Sequence, residues 1–329
     1  DWGSATSGNS SKLIHGGLRY LQTAQFRLVR ECLRERSWML QTIPDLVKIN
    51  RFIIPVYKGS YYRPWQIFSG LSVYFLLSGL NVNGRFHILP KKKWKDMKGI
   101  KQDDLKAVFV YHDAQTDDQR LTRTIQRSAE TEGVICQSRS TFQNAEKITS
   151  GYRVNCQRFG KKFSVRAKVI INAAGPWVNN VLNNISPSPD KIDIDLIQGS
   201  HLILNEKISD HCIYLESPID HRAVFILPWK GRSLVGTTET LFNDIPENCV
   251  LLEKEKKYLM DIVSHYFPSK NLTVKNSFSG LRVLPISGKL PFFRSRDVII
   301  SRHDQIMSIY GGKLTTWRVA ARKVLKEIE

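Results

Sequence analysis

Two segments of the chain end an apolar, strand-like run on small residues and continue at once as a helix. The run 167–175 (AKVIINAAG) leads into a helical pattern at Pro176, and the run 306–312 (IMSIYGG) leads into KLTTWRVAARKVLKEI. Such a turn presents free backbone N–H groups and the positive end of a helix dipole. In open α/β sheets, a nucleotide lies at the edge where these turns gather. The sequence therefore predicts an α/β fold with a nucleotide-type domain.

A block of chemically capable residues lies near the start, in SSKLIHGGLRYL from Ser10 to Leu21. His15 is a candidate base, because an ordinary histidine pKa of about 6.5 leaves the ring largely neutral at physiological pH. Arg19 with Tyr20 is a candidate anion clamp, since a guanidinium can donate two parallel hydrogen bonds. The Gly16-Gly17 pair lets another group approach the backbone closely. A structural histidine is the alternative interpretation, and the neighbouring glycines and Arg19 favour function.

With YGGKLTTWR (310–318), this block resembles the flavin-dependent glycerol-3-phosphate dehydrogenases, members of the larger family that includes the D-amino-acid oxidases. The resemblance follows the family's order over almost the whole chain, which makes the series far more specific than any one block. The other blocks are YHDAQTDDQRL (111–121), INAAGPWV (171–178), QGSHLIL (198–204), VFILPW (224–229), VGTTE (235–239), GLRVLP (280–285) and SRD (295–297).

The resemblance implies an α/β fold, α+β overall, in which a truncated, Rossmann-like FAD-binding domain is interleaved with a mostly antiparallel β-sheet substrate domain. We expect residues 1–44, 100–186 and 287–329 in the first domain and residues 45–99 and 187–286 in the second. A dinucleotide domain begins with a strand, a G-x-G-x-x-G turn and an acidic residue about 20 positions later. This sequence has none of them. We therefore expect a fragment without that first unit and without the family's helical carboxy-terminal domain, with weak binding of the adenine end of FAD.

The resemblance also implies the roles of individual residues. His15, Arg282 and Lys313 are expected to be catalytic, with His15 as the base and Arg282 beside Lys313 on the side of the developing ketone. Arg19, Tyr20 and Arg296 are expected to bind substrate, and which arginine holds the phosphate is left open. No metal site is expected. The expected FAD contacts are Ser10, Ser11, Lys12, Leu13, Ala173, Ala174, Gly175, Gly311, Gly312, Leu314 and Thr315.

The reaction that the resemblance implies is oxidation of sn-glycerol 3-phosphate to dihydroxyacetone phosphate by hydride transfer to FAD, with a quinone as electron acceptor. A near alternative is oxidation of another small acid, such as an amino acid or a 2-hydroxy acid, on the same fold. A third is an inactive fragment with a basic, membrane-binding surface.

The charge of the chain is unusual, since 49 Lys and Arg face 30 Asp and Glu, a formal net charge of +19. A phosphorylated substrate, an anionic membrane and a generally basic proteome all fit this excess. Nucleic acid is not expected as a partner, because the basic residues are spread along the chain rather than gathered on one helix or ribbon. The exception is KKKWK at Lys91–Lys95.

The run Trp65–Leu80 is strongly apolar, but its 16 residues fall short of the roughly 20 that span a bilayer. A core helix and an interfacial helix beside Arg63 and KKKWK remain equal alternatives. The pattern of Gln25–Ile43 predicts an amphipathic helix, and Pro55 suggests that the strand Arg51–Val56 lies at a sheet edge. The five scattered cysteines indicate free thiols in a reducing compartment. We expect a cytoplasmic location, with peripheral attachment to the inner face of the cell membrane left open.

Overall fold

The computed structural model describes residues 1–97, 99–286 and 297–328, and within them it has a mixed α/β architecture. The predicted fold class is confirmed. The helices are α1 Phe26–Thr42, α2 Pro64–Leu77, α3 Asp118–Thr131, α4 Val178–Asn183, α5 Glu253–Tyr266 and α6 Trp317–Ile328. The strands are β1 Leu13–Ile14, β2 Val47–Tyr57, β3 His87–Ile88, β4 Leu105–Thr116, β5 Ser140–Ile148, β6 Gly151–Arg158, β7 Lys161–Ala167, β8 Ile170–Asn172, β9 Ile185–Ser186, β10 Ile194–Leu204, β11 Cys212–Glu216, β12 Ala223–Trp229, β13 Arg232–Gly236, β14 Thr240–Phe242, β15 Val274–Pro285, β16 Val298–His303 and β17 Ile306–Gly311.

Among the described residues, ten strands form one large sheet in the order β1-β4-β2-β11-β12-β13-β10-β14, with β15 also paired to β10 and β3 to β4. Alternating apolar and polar residues between Ile192 and Trp229 predict antiparallel strands, and nearly all pairings of this sheet are antiparallel. The β2–β11 pair is parallel. Helices cover both faces. Cys212 packs into the core cluster that contains α1 and α2, whereas the next residue, Ile213, packs into the cluster that contains α5. Successive residues of a strand point to opposite faces, so these helices lie on opposite sides of the sheet.

Two strand-to-helix units lie side by side in a smaller sheet of order β16-β17-β8. β8 and β17 are parallel, with Ile306 opposite Ile170. β8 leads through a short 3-10 turn at Gly175–Trp177 into α4, and β17 leads through another at Leu314–Thr316 into α6. The carboxyl ends of the two predicted strands therefore meet at one edge. A third sheet, β7-β6-β5-β9, completes the described part of the fold.

The α6 helix begins later than the sequence pattern suggests. Lys313 is extended, with φ −136° and ψ 148°, and full α-helix starts only at Trp317. The amide of Thr316 donates to the carbonyl of Lys313 at 3.0 Å, which tightens the first turn into a 3-10 conformation. Gly312 and Lys313 are therefore non-helical and connect β17 to the 3-10 turn. Lys313 is the last residue before that turn.

The expectation that Pro55 marks an edge strand is wrong. β2 lies between β4 and β11 in the order of the sheet. Its pairing with β11 covers only Phe52 and Ile53. Pro55 lies outside this pairing, so β11 requires no backbone N–H from that position. A proline is tolerated there because no ladder bond to β11 is lost.

The predicted amphipathic helix is confirmed as α1.

Helix α2 exposes part of its apolar surface. Leu71 and Tyr74 are buried against the core, while Trp65 is 68% exposed and Leu76 is 63% exposed. None of the helices in the described ranges, which omit residues 98, 287–296 and 329, is both long and apolar enough to cross a membrane.

The five cysteines are free thiols, and Cys32 and Cys212 are fully buried.

Candidate active site

The blocks from the two ends of the chain line one cavity of about 680 Å³. This volume lies within the usual range of about 300–1,000 Å³ for a small-molecule site. Of the predicted site residues that the structure describes, all except Lys12 border it. They are His15, Arg19, Tyr20, Arg282, Lys313, Ser10, Ser11, Leu13, Ala173, Ala174, Gly175, Gly311, Gly312, Leu314 and Thr315. Arg296 lies outside the described residues.

The His15 loop follows the short strand β1 and is tightly packed. Gly17 has a left-handed φ of 77°, which a residue with a side chain rarely adopts. A Cβ at Gly16 would lie 2.3 Å from the hydroxyl oxygen of Tyr74, so only glycine fits. The rings of His15 and Tyr20 stack with their centroids 6.4 Å apart. The two glycines therefore let the loop turn sharply while presenting His15 and Tyr20 on one side.

Lys313 reaches this loop from the far end of the chain. Its ammonium lies 4.2 Å from the centroid of the Tyr20 ring and 3.0 Å from the sulfur of Cys32. Burial raises the pKa of Cys32, and the nearby Lys313 only partly opposes this. The thiol is therefore neutral at physiological pH, and it cannot neutralise the ammonium. The cation of Lys313 is held beside the His15 loop by an aromatic face and a neutral sulfur.

Arg282 projects from β15 on another wall of the cavity. Its Nη2 donates to the hydroxyl of Thr237 at 3.0 Å, and its Nη1 lies 3.6 Å from Glu239 Oε1. Glu239 also accepts from Arg222 at 2.6 Å. A Cβ on Gly199 would lie 2.7 Å from the Arg282 guanidinium, so this glycine leaves the space that the side chain occupies. The Thr237–Glu239 turn thus orients Arg282.

Glu255 of α5 holds the segment Thr237–Glu239 in place by accepting a hydrogen bond from Thr238. Burial would raise the pKa of this carboxylate, but the hydrogen bonds that it accepts outweigh burial, so that the pKa is lowered. The carboxylate is therefore ionised at physiological pH, and both of its oxygens accept hydrogen bonds. The donors are the hydroxyls of Ser200, Thr238 and Thr240, the side-chain amide of Gln198 and the backbone N–H of Leu252.

His201 is a cavity residue that we did not single out from the sequence. It lies on β10, its Nε2 is 2.9 Å from Ser11 Oγ, and its ring stacks on Phe278 at 4.9 Å. Its Nδ1 is buried and has no hydrogen-bond partner among the described residues. Burial lowers the pKa of His201 well below its ordinary value, and Arg282 and Lys12 lower it further. The ring is therefore neutral. The one sequence signal was its position in QGSHLIL, a block that carries the resemblance.

Lys12 does not border the cavity, unlike the other expected FAD contacts. Its ammonium is buried and donates to Asp118 Oδ1 at 2.7 Å and to the carbonyl of Gly8 at 2.6 Å. A buried ammonium needs a carboxylate partner, and Asp118 at the start of α3 provides one. Lys12 therefore ties the amino-terminal loop to α3, between the cavity-lining residues Ser11 and Leu13.

The cavity fits a flat cofactor with a phosphate-bearing tail. The corners at the ends of β8 and β17 carry small residues, and Gly311 and Gly312 have φ values of 71° and 83°. A Cβ on Gly311 would come within 3.1 Å of the Asp297 carbonyl. The backbone amides of Leu314 and Thr315, which precede α6, are suited to negative charge. These residues, together with Ala173–Gly175 at the border of the same cavity, would hold FAD.

The sequence matches a known family and several of its members. Residues 1–318 match the family described as DAO, FAD dependent oxidoreductase. The chain is 33% identical over 345 residues to the D-erythritol 1-phosphate dehydrogenase of Brucella abortus, covering 100% of this chain and 67% of that protein. It is 33% identical over 337 residues to the glycerol-3-phosphate dehydrogenase of Pseudomonas aeruginosa, covering 98% of this chain and 64% of that protein.

A solved structure has a similar fold. The glycerol-3-phosphate dehydrogenase from Bacillus halodurans complexed with FAD superposes with a TM-score of 0.76 at 22% identity, covering 100% of this chain and 57% of that chain. The chain thus spans about two thirds of the length of these curated relatives, and somewhat less of the solved structure. The match over nearly the whole chain shows that it belongs to the DAO family of FAD-dependent oxidoreductases.

Proposed function

We propose that this protein oxidises a short polyol phosphate, sn-glycerol 3-phosphate, to dihydroxyacetone phosphate. The observation that carries the proposal is the meeting of His15, Arg19, Arg282 and Lys313 around one cavity. A base, an anion clamp and two further cations are what a phosphorylated secondary alcohol requires. The 33% identity to a glycerol-3-phosphate dehydrogenase supports the same substrate class.

The proposed chemistry divides among the chain's own residues. FAD, when bound, accepts the hydride that leaves carbon 2. His15 accepts the proton of the hydroxyl on that carbon, so that the C–H and O–H bonds break as the carbon–oxygen double bond forms. Lys313 and Arg282 would stabilise the negative charge that develops on this oxygen as its proton leaves.

The phosphate is assigned to Arg19, Tyr20 and Arg296. A guanidinium can donate two parallel hydrogen bonds to a phosphate. The guanidinium carbon of Arg19 lies 5.8 Å from the centroid of the Tyr20 ring. Arg19 and Tyr20 are neighbours on the 3-10 turn after Gly17, so the anion clamp and the His15 base lie on one loop.

Replacing Arg19 with alanine is expected to weaken glycerol 3-phosphate binding by about 10- to 100-fold, the effect of a lost charge-assisted hydrogen bond. The dissociation constant can be measured by anaerobic titration of the FAD-loaded, full-length protein. Arg30→Ala, which removes an exposed arginine of α1, is the matched control and should leave the constant unchanged. Equal affinity in the Arg19→Ala protein would assign the phosphate to another arginine.

D-erythritol 1-phosphate is a second candidate substrate, because the chain is 33% identical over its whole length to a dehydrogenase of that compound. Both molecules combine a phosphate with a secondary hydroxyl. Comparison of the rates of flavin reduction by the two polyol phosphates, and by a D-amino acid and a 2-hydroxy acid, distinguishes these substrate classes. Faster reduction by the carboxylates than by either phosphate would contradict the proposed function.

We also propose that the exposed face of α2 contacts an anionic membrane from which a quinone takes the electrons. Trp65 is 68% exposed and Phe68 49% exposed, and the exposed Arg63 immediately precedes α2. The exposed basic turn Lys91–Asp96 follows α2 along the chain. Exposed aromatic side chains together with basic residues suit an interface with acidic lipid headgroups. The peripheral, inner-face location that the sequence leaves open would follow.

Trp65→Ser with Phe68→Ser is expected to lower co-sedimentation with phosphatidylserine-containing vesicles at least several-fold, because burial of an aromatic side chain contributes about 1.5–3 kcal/mol. The matched control is Ile135→Ser with Phe159→Ser, which removes two apolar side chains that are 85% and 69% exposed elsewhere. Equal loss in both pairs, or none in either, would argue against α2 as the contact.

A further inference from the structure

A buried carboxylate at the border of the cavity contacts the His15 loop. Asp113 of β4 is only 1% exposed, and its Oδ1 accepts a hydrogen bond from the backbone N–H of Gly16 at 3.2 Å. This N–H belongs to the peptide that joins His15 to Gly16. The hydrogen bond therefore fixes the orientation of the peptide plane that follows the proposed base.

The same carboxylate is held from two helices. Arg36 of α1 donates to Asp113 Oδ1 at 2.6 Å, and Tyr74 of α2 donates to Oδ2 at 2.8 Å. Arg36 also donates to the carbonyl of His112 at 3.0 Å. The charges of Arg36 and Asp113 compensate each other, and both carboxylate oxygens are engaged. Asp113 thus joins the His15 loop to α1 and α2.

The Tyr74 hydroxyl is a permanent donor in this cluster. Burial raises the pKa of Tyr74 well above its ordinary value, and the adjacent Asp113 charge raises it further. The hydroxyl also lies against Gly16, since a Cβ added there would come within 2.3 Å of it and within 2.4 Å of Leu33. The loop is therefore clamped between α1, α2 and β4, with little freedom to shift.

We propose that Asp113, held by Arg36 and Tyr74, is the positioning residue for His15. The proposal rests on the proposed function, in which His15 accepts the hydroxyl proton. Catalysis by a fixed base depends on its placement, and a misplacement of about 1 Å can cost on the order of 100-fold in rate. Asp113 would set that placement through its hydrogen bond to the backbone of Gly16.

Tyr74→Phe is the variant that tests this assignment, because it removes one hydroxyl from the cluster and keeps the ring and the Arg36–Asp113 pair. Tyr266→Phe is the matched control, since it removes a buried hydroxyl that donates to the carbonyl of Glu216 at 2.6 Å in a different core cluster. We expect Tyr74→Phe to lower the rate of flavin reduction per bound FAD about 10-fold and to change the substrate dissociation constant less than about 2-fold. Tyr266→Phe should change neither.

Hydrogen–deuterium exchange gives a second readout that does not depend on turnover. In the substrate-free protein, Tyr74→Phe should speed exchange in the peptide covering residues 13–20, and Tyr266→Phe should leave that peptide unchanged. A role in overall stability alone would lower the yield of folded protein while leaving both the rate per flavin and this local exchange unaltered. That result would overturn the proposal.

A double mutant separates the proposal from the proposed function. If Tyr74 and Asp113 act through His15, Tyr74→Phe should have no further effect on flavin reduction in a His15→Ala background. Full additivity of the two changes would exclude an action through His15. Unchanged reduction in His15→Ala alone would instead refute His15 as the base, and the positioning role would fall with it.

Discussion

Replacing His15 with alanine is expected to slow flavin reduction by glycerol 3-phosphate at least about 100-fold in the FAD-loaded, full-length protein, the scale of general-base catalysis. The imidazole is lost, while Arg19 and Lys313, which contact the Tyr20 ring, remain in place. Substrate affinity should therefore change much less than the rate. Stopped-flow absorbance under anaerobic conditions measures both quantities.

The control for this variant is His87→Ala, which removes an exposed histidine of β3 that does not border the cavity. It should reduce the flavin at the unmodified rate. If His15→Ala also kept that rate, the proton would have to be accepted by another group.

Replacing Arg36 with methionine is expected to lower the free energy of unfolding by about 3–5 kcal/mol. The guanidinium and the Asp113 carboxylate are 2.6 Å apart, and their side chains are 0% and 2% exposed. Removing the cation leaves a buried negative charge without its partner. Urea denaturation followed by circular dichroism measures the loss, and Arg30→Met on the exposed face of α1 should stay within about 0.5 kcal/mol of the unmodified protein.

Adding Asp113→Asn to Arg36→Met should recover part of that stability, because the unpaired buried charge is then gone. A double variant less stable than Arg36→Met alone would mean that the charge of Asp113 is not the source of the loss. The same two residues lie behind the His15 loop, so the pair contributes to both the stability of the fold and the geometry of the site.

The sequence predicted the parts of the fold that depend on local pattern. The turns after β8 and β17, the amphipathic α1 and the antiparallel strands after Ile192 each have a periodicity or a run of small residues that marks them. The meeting of His15 with Lys313, from opposite ends of the chain, came from the family resemblance, because spacing alone cannot place two distant blocks in one cavity. The proposed division into two domains stays a prediction.

The parts that the sequence did not predict depend on long-range contacts. Lys12 was expected at the flavin, yet its buried ammonium pairs with Asp118, 106 positions along the chain. His201 and Glu255 have no local signature, and their roles follow from strands and a helix that bring Ser11 and Thr238 to them. Pro55 was misjudged because a proline also fits inside a sheet where the neighbouring strand is short.

The cavity between the two ends of the chain is proposed to hold FAD and a short polyol phosphate together. Anaerobic addition of sn-glycerol 3-phosphate to the FAD-loaded, full-length protein, followed by visible absorbance, tests this central claim most directly. We predict that the absorbance of the oxidised flavin is lost with glycerol 3-phosphate and persists with unphosphorylated glycerol. Loss of that absorbance with a D-amino acid, and persistence with every polyol phosphate, would contradict the claim.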